Sequence, residues 1–196
     1  MDVKLVNIYL VRHGETDWNL AGRLQGSTDI PLNELGKQSA LKTAEYFRAN
    51  DIAISCIMTS PLTRAKQTAE IISTVLEIPV IEVQALTERC FGEAEGLTAE
   101  ERMMKFPDQD IPGLEDIQVV RERVWNVLQT IASTHADESV IIVSHGGVIN
   151  AVLSILSNGE IGTGITKLKN ACLNHITHSN NEWTIHSHNN ILHLES

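Results

Sequence analysis

An arginine and a histidine stand side by side near the start of the chain, Arg12 and His13, directly after an apolar, β-favouring run at residues 6–11. That run predicts a short buried strand, so both side chains lie at or just past its C-terminal end, where ligands bind in open α/β sheets. A guanidinium offers a fixed fork of donors that matches phosphate oxygens, and an imidazole can act as base, acid or nucleophile near neutral pH. The pair therefore predicts an anion site, above all for phosphate, and Gly14 would let the backbone approach the ligand closely.

A second histidine, His145, has the same placement at the end of another predicted strand. Residues 138–143 form the best strand pattern in the chain, largely apolar and hence predicted to be central and parallel, and Gly146 and Gly147 follow the histidine. If the two strands are neighbours, their ends bring His13 and His145 together although they are far apart in the chain. A histidine buried for packing alone fits poorly at a strand end beside two glycines.

Arg64 lies in the first turn of a predicted helix that follows a strand at residues 53–59. The free backbone N–H groups and the positive end of the helix dipole at that place suit an anion. A cation is unfavourable beside the same dipole. We therefore favour a functional reason for Arg64 over a chance surface arginine.

The segments around these residues follow one another as recognisable motifs. They read Arg-His-Gly-Glu-Thr at residues 12–16, Ser-Pro-Leu-Thr-Arg-Ala-Lys-Gln-Thr-Ala at residues 60–69, Glu-Arg-Cys-Phe-Gly-Glu-Ala-Glu-Gly at residues 88–96 and His-Gly at residues 145–146. In this order they resemble the motifs of the histidine phosphatase superfamily, in the branch that includes the cofactor-dependent phosphoglycerate mutases. The resemblance covers residues 9–171, and the chain looks most like the small bacterial broad-specificity phosphatases of that family.

The resemblance implies a role for each matching residue. His13 would attack phosphorus and form a phosphohistidine, and Glu88 would give a proton to the leaving oxygen. The groups that hold the phosphoryl oxygens would be Arg12, Arg64 and His145. Further contacts to the substrate would come from Asn19, Gln25, Gly26 and Gly146.

The proton donor has competitors nearby. Glu93 and Glu95 follow Glu88 closely, and all three could be solvated acids. The spacing after the preceding strand and the two glycines of the segment favour Glu88. Cys90 lacks the short Cys-x5-Arg loop of thiol phosphatases, so we interpret it as a packing residue.

The predicted strands and helices alternate along the chain, which by itself favours an α/β protein. The resemblance implies a three-layer α/β/α sandwich with a mostly parallel central sheet, as in phosphoglycerate mutases. We expect one domain over residues 1–196, with residues 97–115 as a lid-like segment. Met103, Met104 and Phe106 of that segment either line the leaving-group pocket or pack the lid onto the body, and the second is favoured.

Composition narrows the partners and the location. The chain has 196 residues, 42% hydrophobic and 20% charged, with a net charge of −10 at pH 7, which fits one globular domain and disfavours nucleic acids and anionic membranes as partners. No apolar run is long enough to span a bilayer, and no signal segment precedes the first strand. The three cysteines are widely spaced, which fits free thiols. We therefore expect a cytoplasmic protein. Five histidines lie near the C-terminus, and we expect them at exposed strand positions rather than in a metal site: His175, His178, His186, His188 and His193. A homodimer formed through these strands is a further hypothesis.

The predicted activity is hydrolysis of small phosphorylated metabolites without metal or cofactor. A phosphoglycerate mutase would use the same site but would keep the phosphohistidine away from water. The chain lacks a long insertion after residue 96 and a long tail, elements that help to enclose the mutase site, so hydrolysis is favoured. Alpha-ribazole phosphatase and sugar bisphosphatase activities stay open. A non-catalytic phosphate-binding regulator is disfavoured, because every expected group is present.

Overall fold

Strands and helices alternate through most of the chain. A computed structural model describes residues 4–195. The strands are β1 (Leu5–Arg12), β2 (Cys56–Thr59), β3 (Val80–Glu82), β4 (Ser139–Ser144), β5 (Leu173–Ser179) and β6 (Glu182–Asn190). The α-helices are α1 (Asp17–Leu20), α2 (Glu34–Ala49), α3 (Thr63–Leu76), α4 (Ala99–Lys105), α5 (Ile117–Thr134) and α6 (Gly146–Leu156). Within this part of the chain, no helix has the length and apolarity needed to cross a bilayer.

The strands form one sheet in the order β3-β2-β4-β1-β5-β6. The four strands from β3 to β1 are parallel, and β5 and β6 continue the sheet antiparallel. Arg12 at the end of β1 pairs with Ser144 at the end of β4. His13 and His145 therefore leave the sheet side by side, which confirms the predicted meeting of the two strand ends.

Helices cover both faces of the sheet. Helices α2 and α3 pack against one face, on which Ile141 and Val143 of β4 are buried. Helices α5 and α6 pack against the other face, which receives Val140 and Ile142 of the same strand. Each strand of the sheet centre thus buries alternate residues on opposite sides, as a fully covered parallel sheet requires. The fold is the expected α/β/α sandwich with a mostly parallel sheet.

The buried face of α2 is rotated relative to the sequence prediction. The spacing of apolar residues predicts one face with Leu35, Ala40, Leu41, Ala44 and Phe47. The last two and Ala40 are buried, whereas Leu35 and Leu41 are 56% and 43% exposed. Asn33 caps the helix, accepting the backbone N–H of Gly36 at 2.9 Å. The backbone of Glu15 presses so closely on Gly36 that a Cβ there would collide with it. The helix therefore turns this side toward the body, with the buried residues Gly36, Ala40, Thr43, Ala44 and Phe47.

Residues 97–115 begin with the capped helix α4. Thr98 accepts the backbone N–H of Glu101 at 3.2 Å, and the Glu101 carboxylate accepts the backbone N–H of Thr98 at 2.8 Å. Met103 and Met104 on this helix are 65% and 70% exposed. Both side chains are mostly exposed to solvent, so neither methionine packs onto the body, and neither lines the cavity at the ends of β1 and β4.

The histidines near the C-terminus differ in burial. His186 on β6 is exposed as expected, whereas His175 on β5 is half-buried and stacks between the rings of Tyr9 and His186, with centroids 4.6 and 4.7 Å away. His193 lies after the strands and is buried against α2, with Nε2 3.1 Å from Oγ1 of Thr43. The expectation of exposed positions is therefore wrong for His193, because the chain folds back under α2 after β6.

The buried His193 makes the stability of the fold depend on pH. Burial lowers the pKa of His193 to about 4, whereas an unfolded chain takes up this proton near pH 6.5. The free energy of unfolding therefore falls as the pH drops through this window, by about 1.4 kcal/mol per pH unit for this group. In urea titrations, the free energy of unfolding of the parent should fall between about pH 7 and about pH 5. In His193→Gln this fall should be smaller by about 2 kcal/mol.

The matched control is His188→Gln, at an exposed position on β6. This variant should keep the pH dependence of the parent. The same pH dependence in the parent and in His193→Gln would contradict the assignment.

Candidate active site

His13 lies buried immediately beyond the last residue of β1. Its Nδ1 is 2.7 Å from the carbonyl oxygen of Gly14. Because a carbonyl oxygen only accepts, Nδ1 carries the proton and Nε2 keeps an unshared electron pair in the neutral ring. Burial, and after it the charges of Arg12 and Arg64, hold the pKa of His13 well below its usual range. The ring is thus a neutral base with its reactive nitrogen at Nε2.

Two guanidinium groups flank this ring, and backbone carbonyls hold both of them. Nη1 of Arg12 donates to the carbonyl oxygen of Leu168 at 2.6 Å. Arg64 is buried, and it donates from Nη1 to Thr28 at 2.9 Å and from Nη2 to Gly26 at 2.7 Å. Burial lowers the pKa of each guanidinium, yet both groups stay charged at neutral pH because an arginine side chain is effectively always protonated in proteins.

His145 lies next to His13, with ring centroids 5.2 Å apart. It is the N-cap residue of α6, and its Nε2 is 2.8 Å from Oγ of Ser60. Burial, followed by the charge of Arg64, holds the pKa of His145 well below its usual range, so this ring is neutral too.

Glu88 approaches the start of α6 from the loop after β3. Its Oε1 accepts the backbone N–H of Arg89 at 2.9 Å, and its Oε2 accepts the backbone N–H of Gly147 at 3.1 Å. A Cβ at Gly147 would crowd the carboxylate, so glycine permits this close approach. The two hydrogen bonds fix the carboxyl group in the same cavity as His13.

These groups meet in a cavity of about 290 Å³. All four residues that the sequence assigned to substrate contact line it: Asn19, Gln25, Gly26 and Gly146. His145 is fully buried and is not part of the lining, but its ring lies next to that of His13, which is part of it. The rest of the wall consists of Arg23, Leu24, Phe91, Gly147, Asn150, Thr166, Lys167 and Leu168. Among the residues that the structure describes, none between 92 and 145 contributes to the lining.

Glu95 is a part of the site that sequence reasoning missed. Its carboxylate accepts the backbone N–H groups of Ser27, Thr28 and Phe91, each at 2.9 Å, and the hydroxyls of Ser27 and Thr28 as well. Burial would raise the pKa of Glu95, but these hydrogen bonds outweigh it and lower the pKa. The ionised carboxylate therefore ties the loop that holds Arg64 to the loop that follows Glu88. From the sequence alone, Glu95 could be a solvated acid. Its position beside Gly96 was the only sign of a structural role.

Asn170 was also missed. Its Nδ2 donates to the carbonyl oxygens of His13 and Gly14, both at 3.2 Å, and to Oδ1 of Asn19 at 3.0 Å. Asn170 thereby fixes the backbone that carries the nucleophile. No motif in the sequence pointed to this residue, because it lies in a loop far along the chain.

Three buried nitrogen atoms of the site have no partner within the described chain: Nε of Arg12, Nε of Arg64 and Nδ1 of His145. The ion pairs among residues 4–195 do not involve either guanidinium. A buried donor without a partner is unfavourable by about 1–3 kcal/mol. An anion with several oxygens would accept hydrogen bonds from the guanidinium groups and balance their two positive charges. A phosphoryl group placed against Nε2 of His13 meets both requirements.

Comparison with known proteins identifies similar chains. The family model for the histidine phosphatase superfamily (branch 1) matches residues 8–191. An uncharacterized phosphatase, PhoE, of Bacillus subtilis (strain 168) is 42% identical over 187 residues, which are 95% of this chain and 96% of PhoE. A metal-independent phosphoserine phosphatase of Arabidopsis thaliana is 37% identical over 210 residues, covering 100% of this chain and 86% of the relative.

A solved structure has the same fold along nearly its whole length. YhfR of Bacillus stearothermophilus superposes with a TM-score of 0.88 at 27% sequence identity, covering 96% of this chain and 99% of YhfR. The order of strands and helices described above is therefore shared with a protein of nearly the same extent.

The geometry predicts that Glu95 matters for phosphate binding. In Glu95→Gln an amide NH₂ replaces one carboxylate oxygen and cannot accept the N–H groups of residues 27 and 28. The loop at residues 26–28 would loosen, and its carbonyl groups would no longer hold Arg64 in place. We expect kcat/KM for phosphomonoesters to fall about 10- to 100-fold, the usual effect of losing a residue that orients a binding group. The inhibition constant of inorganic phosphate should rise, because the variant binds phosphate more weakly.

Glu93→Gln provides the control, because Glu93 is close in sequence but pairs only at the surface, with Lys105 at 3.3 Å. It should retain the kinetics of the parent. Equal phosphate inhibition in Glu95→Gln and Glu93→Gln would show that the Glu95 hydrogen bonds do not support the site.

Proposed function

This chain belongs to the histidine phosphatase superfamily, and we propose that it hydrolyses small phosphomonoesters through a phosphohistidine formed on His13. One observation carries the proposal: a neutral His13, with Nδ1 tied to Gly14 and Nε2 unshared, lies between two charged guanidinium groups. Such a nitrogen is a nucleophile at neutral pH, and the guanidinium groups stabilise the charge that develops on phosphoryl oxygens.

In the first step Nε2 of His13 attacks phosphorus in line with the leaving oxygen. The N–P bond forms as the P–O bond to the leaving group breaks, and the carboxyl group of Glu88 gives its proton to that oxygen. Arg12, Arg64 and His145 hold the three equatorial oxygens. Catalysis of this kind depends chiefly on positioning and electrostatics, because little covalent work is left to the protein.

In the second step a water molecule attacks the phosphohistidine. Glu88, now a carboxylate, takes the proton of the water as the new P–O bond forms and the N–P bond breaks. His13 returns to its neutral state, and inorganic phosphate leaves. The proton donor of the first step is thus the base of the second.

Hydrolysis rather than phosphoryl return to the substrate fits the shape of the site. No residue between 92 and 145 in the described chain lines the cavity, so residues 97–115 add no wall that would keep water from a phosphohistidine. The similar proteins from Bacillus subtilis and Arabidopsis are named as phosphatases, which supports the same reading.

The setting of the reaction is part of the proposal. We infer small phosphorylated metabolites as substrates, without nucleic acid or membrane partners, and without a metal because two guanidinium groups supply the positive charge. Three free cysteines are in keeping with the reducing cytoplasm, namely Cys56, Cys90 and Cys172. Homodimerisation through β5 and β6 stays a prediction.

The decisive assay is the release of inorganic phosphate from a panel of phosphomonoesters in the presence of a metal chelator. We expect the parent to release phosphate with chelator present, and His13→Ala to lose the activity by about 10⁴-fold or more, as is typical when a nucleophile is removed. The panel should include phosphoserine and 3-phosphoglycerate, with isomers of the second assayed in parallel. Acid-labile label from a ³²P-ester should appear on the parent and not on His13→Ala.

His188→Ala is the matched control, since it replaces an exposed histidine away from the cavity, and it should keep full activity. Isomerisation of 3-phosphoglycerate without phosphate release would instead identify a mutase. Phosphate binding without turnover or labelling would identify a non-catalytic regulator.

A further inference from the structure

Ser60 is a buried hydroxyl that the mechanism above does not use. It directly follows β2, and neither Ser60 nor His145 has exposed surface. Oγ of Ser60 lies 2.8 Å from Nε2 of His145, a distance typical of a well-formed hydrogen bond. Distance alone does not say which of the two atoms donates.

The other contact of Ser60 decides the direction. The backbone N–H of Leu62 donates to Oγ of Ser60 at 3.2 Å, so the hydroxyl oxygen already accepts one hydrogen bond. The hydroxyl proton still needs an acceptor. Among residues 4–195, the only acceptor at hydrogen-bonding distance from this oxygen is Nε2 of His145. The hydroxyl of Ser60 therefore donates, and Nε2 of His145 accepts with its unshared pair.

The direction of this bond fixes the proton on the other nitrogen of the ring. A neutral imidazole carries one proton, so an accepting Nε2 requires an N–H at Nδ1. Nδ1 of His145 is buried and has no partner within the described chain. The ring of His145 is 5.2 Å from that of His13, so the unpartnered Nδ1 belongs to the ring next to the nucleophile.

We propose that Ser60 is a positioning residue that holds His145 in the Nδ1–H tautomer, so that this neutral ring donates a hydrogen bond to the phosphoryl group on His13. The proposal rests on the proposed function for its ligand, but the tautomer itself is a property of the free protein. In the opposite tautomer, an unshared pair at Nδ1 would face the phosphoryl oxygens and repel them.

The two histidines would then have opposite tautomers for opposite tasks. A carbonyl oxygen takes the Nδ1 proton of His13 and leaves Nε2 free to attack. A hydroxyl donor occupies Nε2 of His145 and leaves an N–H at Nδ1. Burial keeps both rings neutral, so the hydrogen-bond partner alone decides which nitrogen is donor and which is acceptor.

Long-range ¹⁵N–¹H correlation spectra of the histidine rings test the proposal directly. In the parent protein, with and without inorganic phosphate, we expect a protonated Nδ1 and an unprotonated Nε2 for His145, assigned by comparison with His145→Gln. In Ser60→Ala the Nε2–H form should appear, kcat/KM should fall about 10- to 100-fold and phosphate should bind more weakly. Ser60→Thr keeps the hydroxyl and should restore both the tautomer and most of the activity.

Thr59→Val is the matched control, because Thr59 is the adjacent buried hydroxyl and bonds only to the backbone carbonyl of Ser60, at 3.1 Å. It should leave the His145 tautomer and the kinetics as in the parent. A protonated Nε2 on His145 in the parent spectrum would overturn the proposal, even if Ser60→Ala did not fold. So would parent-like spectra and kinetics in Ser60→Ala. Absence of phosphatase activity in a parent that shows the Nδ1–H tautomer would refute the proposed function and not the role of Ser60 in setting the tautomer.

Discussion

Two guanidinium groups that form no ion pair within residues 4–195 influence the state of the groups around them. Backbone carbonyls of Leu168, Gly26 and Thr28 fix Arg12 and Arg64 without cancelling their charge. Burial, and after it that charge, holds the pKa of the neighbouring imidazoles well below the usual range, and a neutral imidazole is what nucleophilic attack requires. The same positive charge favours a bound anion. Arg12 and Arg64 thus contribute to three properties of the site: the anchoring of the surrounding loops, the neutral state of the nucleophile and the affinity for an anion.

The centre of the site could be read from the sequence, because it depends on local patterns. Apolar strand runs that end at His13 and at His145 predict two strand tips, and the parallel pairing of β1 with β4 puts them together. A helix start at Arg64 is equally local. The structure brings these residues and Glu88 to one place.

The supports of the site could not be read in this way, because they join segments that have no pattern in common. Glu95 looks like any surface acid until the loop at residues 26–28 folds onto it. Asn170 reaches the nucleophile loop from a region without a motif. The face of α2 was misjudged for a similar reason, since a backbone contact from Glu15 decided which side of the helix is buried. Such contacts become visible only when the tertiary structure is known.

The position of β1 in the middle of the sheet has a consequence for how the protein is made. Its neighbours are β4, which begins at Ser139, and β5, which begins at Leu173. A chain emerging from the ribosome therefore carries its apolar first strand without a pairing partner until most of the sequence has been synthesised. At about 5–20 residues per second this interval lasts about 6 to 26 seconds. Nascent chains are exposed to aggregation and to chaperone binding during that time, and a chain that terminates before β4 has neither a sheet centre nor a second strand tip beside the nucleophile.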